Sequence, residues 1–347
     1  MPKSLKFNKD KEKGGLRVLS LFDGISCGQV ALELAEIPVE TYYASEIDKY
    51  AIQVTQKNYP NTIQLGDINN IDFTKFIGKI DLIMGGSPCQ DLSIAGKRVG
   101  LQGSRSGLFY KFVEAIKTIK PKYFLLENNH RMPNEAKEEI TKQLGVEPIL
   151  INSKCFSAQN RERLYWTNFY IKPVDNALGK TIKDILEEKV DEKYYMNYPL
   201  ILKEPMGELI QIGNIPKEFL KDNERQRRVY STNSLSPSIL ARSDSPKILC
   251  IGSLEMKASQ QVKRVYSING LSPTLDTAQG GHRQVKILKN AKIRKLTPLE
   301  CERLQTLPDN YTEGVSNTQR YKGIGNGWTV DVIAYIFKHI KDITNDR

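Results

Sequence analysis

Histidine is scarce in this 347-residue chain, with three copies, and the cysteines are few: Cys27, Cys89, Cys155, Cys250 and Cys301. No two of the five stand at metal-ligand spacing, so no zinc site is expected. A scattered, odd-numbered set also argues against a disulfide framework and fits a reducing, cytoplasmic compartment. No apolar run approaches the ~20 residues of a membrane span. The opening residues, Met1-Pro2-Lys3-Ser4-Leu5-Lys6, lack the apolar stretch of a secretory signal. Acidic residues are the minority charge, 40 against 51 basic ones, which leaves a net charge of +11. Such an excess favours a polyanionic partner.

What the chain does have is a series of strand patterns that each end in a polar or glycine-rich turn. Residues 16–22 read as a strand, followed by Asp23-Gly24-Ile25-Ser26-Cys27-Gly28 and then an apolar helix pattern. That order brings a ligand against backbone N–H groups at a helix N-terminus. The next strand pattern ends at Glu46, placed to meet ribose hydroxyls, and a third ends at Gly66-Asp67-Ile68. Three such ends in succession predict a nucleoside-containing cofactor.

The fourth strand pattern, residues 80–84, runs into Gly85-Gly86-Ser87-Pro88-Cys89-Gln90-Asp91-Leu92-Ser93. The glycines free the backbone, while Pro88 fixes its own φ and keeps Ser87 extended. A thiol delivered this way is placed as a nucleophile. Residues 122–126 then lead an apolar strand into Glu127-Asn128-Asn129, putting a carboxyl where a proton donor is needed. Gln159-Asn160-Arg161-Glu162-Arg163 precedes a further strand.

From about residue 16 to 172 strands and helices alternate, which predicts a mostly parallel sheet. The first 13 residues read as a disordered basic tail and 172–176 as a linker. Residues 14–178 form the first part of the catalytic domain, 179–291 a small β-rich insertion, and 292–347 the catalytic domain's return. The insertion holds a repeat. Arg228-Val229-Tyr230-Ser231 with Leu235-Ser236-Pro237 recurs 36 residues on as Arg264-Val265-Tyr266-Ser267 with Leu271-Ser272-Pro273. Two related β-units follow from it. In the return, Thr297 is an N-cap with Pro298 at N1, and Val330, Ile333, Ala334, Phe337 and Ile340 share one helical face.

Together these stretches resemble the DNA (cytosine-5)-methyltransferases, in the family's order and over nearly the whole chain. The resemblance is carried by Phe22-Asp23-Gly24 with Gly28, Glu46, Gly66-Asp67-Ile68, Ser87-Pro88-Cys89-Gln90, Glu127-Asn128, residues 159–163, Arg294-Lys295-Leu296-Thr297-Pro298-Leu299-Glu300 and Gly325-Asn326-Gly327. The size is that of a compact bacterial or phage enzyme. Gly86-Ser87-Pro88-Cys89 and Trp328 look more like the eukaryotic de novo enzymes. Two residues depart from the family pattern: Asn129, where an apolar residue is usual, and Gly327, where serine is common.

The resemblance implies an α/β fold: a Rossmann-like S-adenosylmethionine-dependent methyltransferase sheet with an inserted small, mainly β recognition domain. It implies a covalent Cys89–C6 adduct with a flipped-out cytosine, with Glu127 at N3, Arg163 at O2, and Arg161 beside them. S-adenosylmethionine, leaving as S-adenosylhomocysteine and with no metal, would be held by Phe22, Asp23, Gly24, Gly28, Glu46, Ile47, Asp67, Ile68, Pro88, Asn326, Gly327 and Trp328. Double-stranded DNA would meet Gln90, Ser93, Lys97, Arg98 and Arg105 in a closing loop, and Arg242, Gln279, Gly280 and Arg283 in the insertion. Gln279 would fill the place the base vacates. A monomer is implied, with a cognate restriction endonuclease as a possible partner. Three rivals are an RNA methyltransferase of the same fold, an inactive DNA-binding regulator and a nicotinamide dehydrogenase. The absent Cys-Phe-Thr motif, the intact Cys89-Glu127-Arg163 set and the incomplete Gly-x-Gly-x-x-Gly argue against them in turn.

Overall fold

A computed structural model describes residues 14–87, 107–174, 176–196, 200–202, 211–214, 228–230, 250–256, 258–278, 283–289 and 292–345. Seven strands form the main sheet: β1 (Leu16–Leu21), β2 (Val39–Ser45), β3 (Ile63–Gln64), β4 (Leu82–Gly85), β5 (Tyr123–Asn129), β6 (Ile149–Asn152) and β7 (Glu162–Thr167). Their order is β3-β2-β1-β4-β5-β7-β6. All pairings are parallel except those of β7, which runs antiparallel to both β5 and β6. The direction of winding reverses between β1 and β4, and that switch point opens a crevice at the strands' carboxyl ends.

The central strands read as continuous apolar runs because both faces are covered. Leu19, Leu21, Leu82, Ile83, Met84, Leu125 and Leu126 are all fully buried. One face is packed by α1 (Cys27–Leu34) and the C-terminal helix, the other by α3 (Gly107–Ile119) and α4 (Asn134–Leu144). α2 (Lys49–Asn58) follows β2, its first turn capped by Asp48. Three more helices are α5 (Pro298–Leu304), α6 (Asn317–Asn326) and α7 (Val330–Asn345). The expected apolar face of α7, Val330, Ile333, Ala334, Phe337 and Ile340, is wholly buried in the core that contains α1.

The remaining strands are β8 (Tyr195–Met196), β9 (Leu200–Leu202), β10 (Gln211–Asn214), β11 (Arg228–Tyr230), β12 (Cys250–Leu254), β13 (Arg264–Ser267), β14 (Lys286–Lys289) and β15 (Lys292–Lys295). Six of them form a second sheet ordered β8-β15-β14-β13-β12-β9, while β10 and β11 pair with each other. β15 turns back on β14 as an antiparallel neighbour, so this sheet runs past residue 291.

β15 is tied to α5 by a fully buried ion pair. Arg294 meets Glu300 through two bonds, Nη1 to Oε2 at 2.7 Å and Nη2 to Oε1 at 2.6 Å. Glu300 also accepts from the backbone N–H groups of Thr297 and Glu187, both at 2.9 Å. Thr297 caps α5 in a reciprocal capping box with Glu300, and Pro298 opens the helix, as its sequence predicts. Removing one partner of such a pair strands the other charge in the interior. Glu300→Ala is therefore expected to destabilise the fold by ~3–5 kcal/mol. Denaturant unfolding checks this, and a loss under ~1 kcal/mol would show that water reaches Arg294 there.

Candidate active site

The turn between β1 and α1 is the most contorted backbone near the crevice. Phe22, Gly24 and Ser26 have φ of 61°, 59° and 61°. Glycine takes this conformation without penalty, but Phe22 and Ser26 do not, at ~1–2 kcal/mol each. The carboxylate of Glu46 holds the turn. Its Oε2 accepts from Gly24 N at 2.8 Å, and its Oε1 accepts from Ile47 N at 2.7 Å and Asp48 N at 2.8 Å. Oε2 keeps a lone pair for a further donor. Asp67 caps the single turn after β3, accepting from Asn69 N at 2.9 Å.

Asp23 sits in this turn with its carboxyl turned inward. Oδ1 accepts from Tyr42 Oη–H at 2.7 Å, while Oδ2 is buried without a hydrogen-bond partner. Burial pushes the Asp23 carboxyl up to about 6, against the pull of the Ser20, Tyr42 and Ser26 hydroxyls, and the nearby Glu46 charge adds to the rise.

At the other end of the crevice, Glu127 leaves the core on β5 and meets Arg163 on β7. Arg163 Nε donates to Glu127 Oε1 at 2.8 Å, with both side chains about seven-eighths buried (15% and 12% exposed). Gly86, just past β4, lies so close that a Cβ there would sit 3.0 Å from Glu127 Oε2 and 3.2 Å from Trp328 Nε1. Asn128 Nδ2 donates to Ser87 Oγ at 3.3 Å, which ties β5 to the end of β4. Asn129 accepts from Arg131 N through Oδ1 and stands on the crevice wall. Arg161 is buried, and its guanidinium donates to the main-chain carbonyls of Leu275, Gly325 and Gly327.

The two ends belong to one cavity of about 490 Å³, inside the size range of small-molecule sites. Of the residues singled out in the sequence, Phe22, Asp23, Gly24, Glu46, Ile47, Asp67, Ile68, Glu127, Arg161, Arg163, Asn326, Gly327 and Trp328 line it. Gly28 does not. It is buried where a Cβ would meet Met84 Cε at 2.3 Å and Tyr42 Oη at 3.1 Å, so the glycine serves the packing of α1 on the sheet. Arg283 is exposed at a second, smaller cavity by β13 and β14. Pro88, Cys89, Gln90, Ser93, Lys97, Arg98, Arg105, Arg242, Gln279 and Gly280 lie outside the described residues, as does the tail 1–13.

The structure adds residues that the sequence pattern did not single out. Asp48 and Lys322 pair at 2.5 Å on the cavity rim, joining α2 to α6. Gln319, Thr312 and Leu108 also line the cavity. Asp48 carried a signal, as an aspartate heading a helix pattern. Lys322 carried none, since its partner is 274 residues away. Among the described residues there is no cluster of metal-ligating side chains and no helix long and apolar enough to cross a membrane.

A sequence model of the C-5 cytosine-specific DNA methylases matches residues 16–342. The chain belongs to that family, as a DNA cytosine-5 methyltransferase. It is 30% identical to the orphan methyltransferase M.SPRI of Bacillus phage SPR, over 94% of this chain and 98% of the phage protein. It is 29% identical to the type II methyltransferase M.HhaI of Haemophilus parahaemolyticus, over 97% and 98%. Among solved structures, EhMeth of Entamoeba histolytica superposes with a TM-score of 0.66 at 15% identity, covering 95% of this chain and 99% of that one. The S. pombe Dnmt2 methyltransferase gives 0.62 at 17%, covering 94% and 99%. At such identities the structures speak for the fold alone, the Rossmann-like sheet with a β portion that the resemblance implied.

Asp23 gives this methyltransferase a stability cost that is open to measurement. Unfolded, the carboxyl loses its proton at the ordinary carboxylate value; folded, it does so near 6. Between those values the folded state binds more protons, so stability falls as pH rises through the window, and the deficit persists above it. Asp23→Asn keeps an acceptor for Tyr42 and cannot ionise. It is expected to gain up to ~3 kcal/mol at pH 7 and to flatten the acid-side pH dependence. Urea titrations at about pH 5 and about pH 7.5 check it, and a variant weaker than the parent at the higher pH would overturn it.

Proposed function

We propose that the chain transfers a methyl group from S-adenosylmethionine to C5 of a cytosine flipped out of duplex DNA, through a transient bond between Cys89 and C6. The observation that carries this reading is the single cavity with Glu127 and Arg163 at one end and the Asp23, Glu46 and Asp67 turns at the other. Cys89 follows Ser87, on the cavity wall, by two residues, so covalent geometry keeps the two Cα atoms within about 7 Å.

The acidic end fits the donor. The carboxylates of Glu46 and Asp67 on its wall suit a cation and ribose hydroxyls. Glu46 would take the ribose hydroxyls, Asp67 the adenine amino group, and Phe22, Ile47, Ile68, Pro88, Asn326, Gly327 and Trp328 the rest. S-adenosylmethionine, when bound, supplies the methyl as an electrophilic sulfonium carbon.

C5 of cytosine is not nucleophilic on its own. Attack of the Cys89 thiolate on C6 forms an S–C bond and drives electrons toward N3 and O2. Glu127, in its protonated form, gives its proton at N3, and Arg163 hydrogen-bonds O2. For this the Arg163–Glu127 pair must open as the base enters. C5, now electron-rich, would take the methyl while the bonding pair stays on the donor's sulfur; loss of the C5 proton to a base then expels the Cys89 thiolate, and N3 returns its proton to Glu127 to restore the ring. Arg161 acts through its carbonyl partners and positions the others. A base inside a helix is out of reach of this cavity, so flipping is part of the reading. Gln90, Ser93, Lys97, Arg98 and Arg105 would close over the DNA, and Arg242, Gln279, Gly280 and Arg283 would set the sequence. The enzyme would act as a monomer.

Cys89→Ser should abolish methyl transfer and leave DNA binding nearly intact, because a hydroxyl is a far poorer nucleophile at neutral pH. A duplex containing 5-fluorocytosine should trap the parent covalently and not the variant. Near-normal turnover by the serine enzyme would end the covalent reading. Separately, Glu46→Ala should raise the KM for the methyl donor roughly tenfold or more, the ~1.4 kcal/mol of one good charge-assisted hydrogen bond, with little change in the KM for DNA. Calorimetry showing unchanged donor affinity would remove Glu46 from the site.

A further inference from the structure

The end of the cavity that holds Glu127 and Arg163 carries a third polar residue that the proposed chemistry leaves unused. Asn129 stands on the cavity wall, where the family usually has an apolar residue.

The strand β5 fixes its place. Side chains two apart on a strand point to the same face, so Leu125, Glu127 and Asn129 form one row. The row climbs from the core toward the crevice: Leu125 is fully buried, Glu127 is 12% exposed and Asn129 is half-buried. On β7, Arg163 is directly opposite Asn129, and Tyr165 is opposite Glu127. Opposite residues share a face, so Asn129 and Arg163 are side by side. Asn129 stands about 7 Å past Glu127, toward the carboxyl end of the strand.

Its carboxamide is oriented by the turn that follows. Oδ1 accepts from Arg131 N at 3.1 Å, and Met132 N donates to Asn129 O at 3.3 Å. Since Oδ1 is the atom that meets an N–H, the two hydrogens of Nδ2 are left over. Among the described residues no acceptor meets them. An apolar side chain here would need no partner. An unspent donor on the wall of a ligand cavity is matched by an acceptor that arrives with the ligand.

The order of the groups identifies that acceptor. On the proposed chemistry Glu127 meets N3 of the flipped cytosine and Arg163 meets O2. O2 is on the sugar side of N3, so the sequence from N3 to O2 leads to the deoxyribose and its phosphates. Asn129 follows Glu127 in the same sense, toward the mouth. The base enters the cavity and its backbone stays at that mouth. The strongest acceptors there are phosphate oxygens, and a bond to an anionic oxygen is charge-assisted.

We propose that Asn129 donates through Nδ2 to a phosphate flanking the flipped cytosine, and so holds the backbone of the nucleotide while Glu127 and Arg163 hold its base. This rests on the reading of the chain as an enzyme that flips its target out of duplex DNA. Two variants test it. Asn129→Val restores the usual apolar character, and Asn129→Asp keeps an acceptor for Arg131 N while removing the donor. The methylated sequence is first mapped by sequencing plasmid treated with the parent. Binding is then measured on three duplexes of that sequence: one unmodified, one abasic at the target, and one with uncharged methylphosphonates at the two phosphates flanking the target.

On the unmodified duplex Asn129→Val should bind ~10-fold more weakly than the parent. Asn129→Asp should bind more weakly still, because a carboxylate would face a phosphate. The gap between the parent and Asn129→Val should persist on the abasic duplex and close on the methylphosphonate duplex. Affinity for S-adenosylmethionine should be unchanged in both variants. Either variant binding the unmodified duplex like the parent would overturn the proposal, by leaving the residue only its turn to hold. A gap that vanishes on the abasic duplex would overturn it by moving the contact to the base. A gap that survives the methylphosphonates would overturn it by moving the contact off those phosphates. A parent that binds duplex DNA but methylates none of it would refute the proposed function instead.

Discussion

The arrangement of the site depends on one buried guanidinium. Arg161 donates to Gly327 O at 3.0 Å, to Gly325 O at 3.4 Å and to Leu275 O at 3.4 Å, and so holds two distant chain segments around one side chain. Burial lowers its pKa to about 10, with the neighbouring Arg163 charge in the same direction and Glu127 opposing, so it stays charged at neutral pH. Gly325 is in the last turn of α6 and Gly327 is its C-cap. A cation belongs there, where the helix dipole and unpaired carbonyls present negative charge. The glycines follow from the same constraint. A Cβ on Gly325 would stand 2.2 Å from Asp276 O, and one on Gly327 would stand 3.0 Å from Cys27 Sγ. The Gly-Asn-Gly motif is thus a condition for packing α6 against the Arg161 loop and the β13–β14 connection.

A second tension lies across the cavity. The β1–α1 turn combines left-handed Phe22 and Ser26 with a buried, half-satisfied carboxyl at Asp23. Strain of this kind persists only where neighbours over-determine it. Here the neighbours are Glu46, which pins Gly24, and Tyr42, which pins Asp23. Phe22, Asp23, Gly24 and Glu46 all line the cavity, so the strained turn is part of its wall.

Much of this was legible in the sequence because it is local. Apolar runs ending in Glu46, Asp67, Ser87 and Glu127 mark strand ends, and strand ends at one edge of a parallel sheet share a crevice. The α7 face and the Thr297 cap were legible for the same reason: each is a pattern within one element. The antiparallel course of β7 was not, because its apolar residues read the same in either direction. Nor was the work of Arg161. The sequence places it beside Arg163 as a catalytic pair, but its partners lie more than a hundred residues away. Gly28 was read as a ligand-facing glycine because a turn gives the need for a small residue without saying which neighbour imposes it.

The C-terminal segment fixes how the second sheet sits beside the main one. Glu302, fully buried, accepts from Asn310 N at 2.8 Å, Thr312 N at 2.9 Å and Arg320 at 2.9 Å. Gln305, also fully buried, donates to Ile324 O at 2.9 Å and accepts from Thr329 Oγ1 at 2.7 Å. With Arg294–Glu300 on one side and Arg161 on the other, these bonds form a continuous polar seam through α5 and α6. Apolar packing alone tolerates small slides between elements, whereas a buried polar network is satisfied in one arrangement and costly in others. The seam therefore sets the distance between the catalytic sheet and the strands β13 to β15.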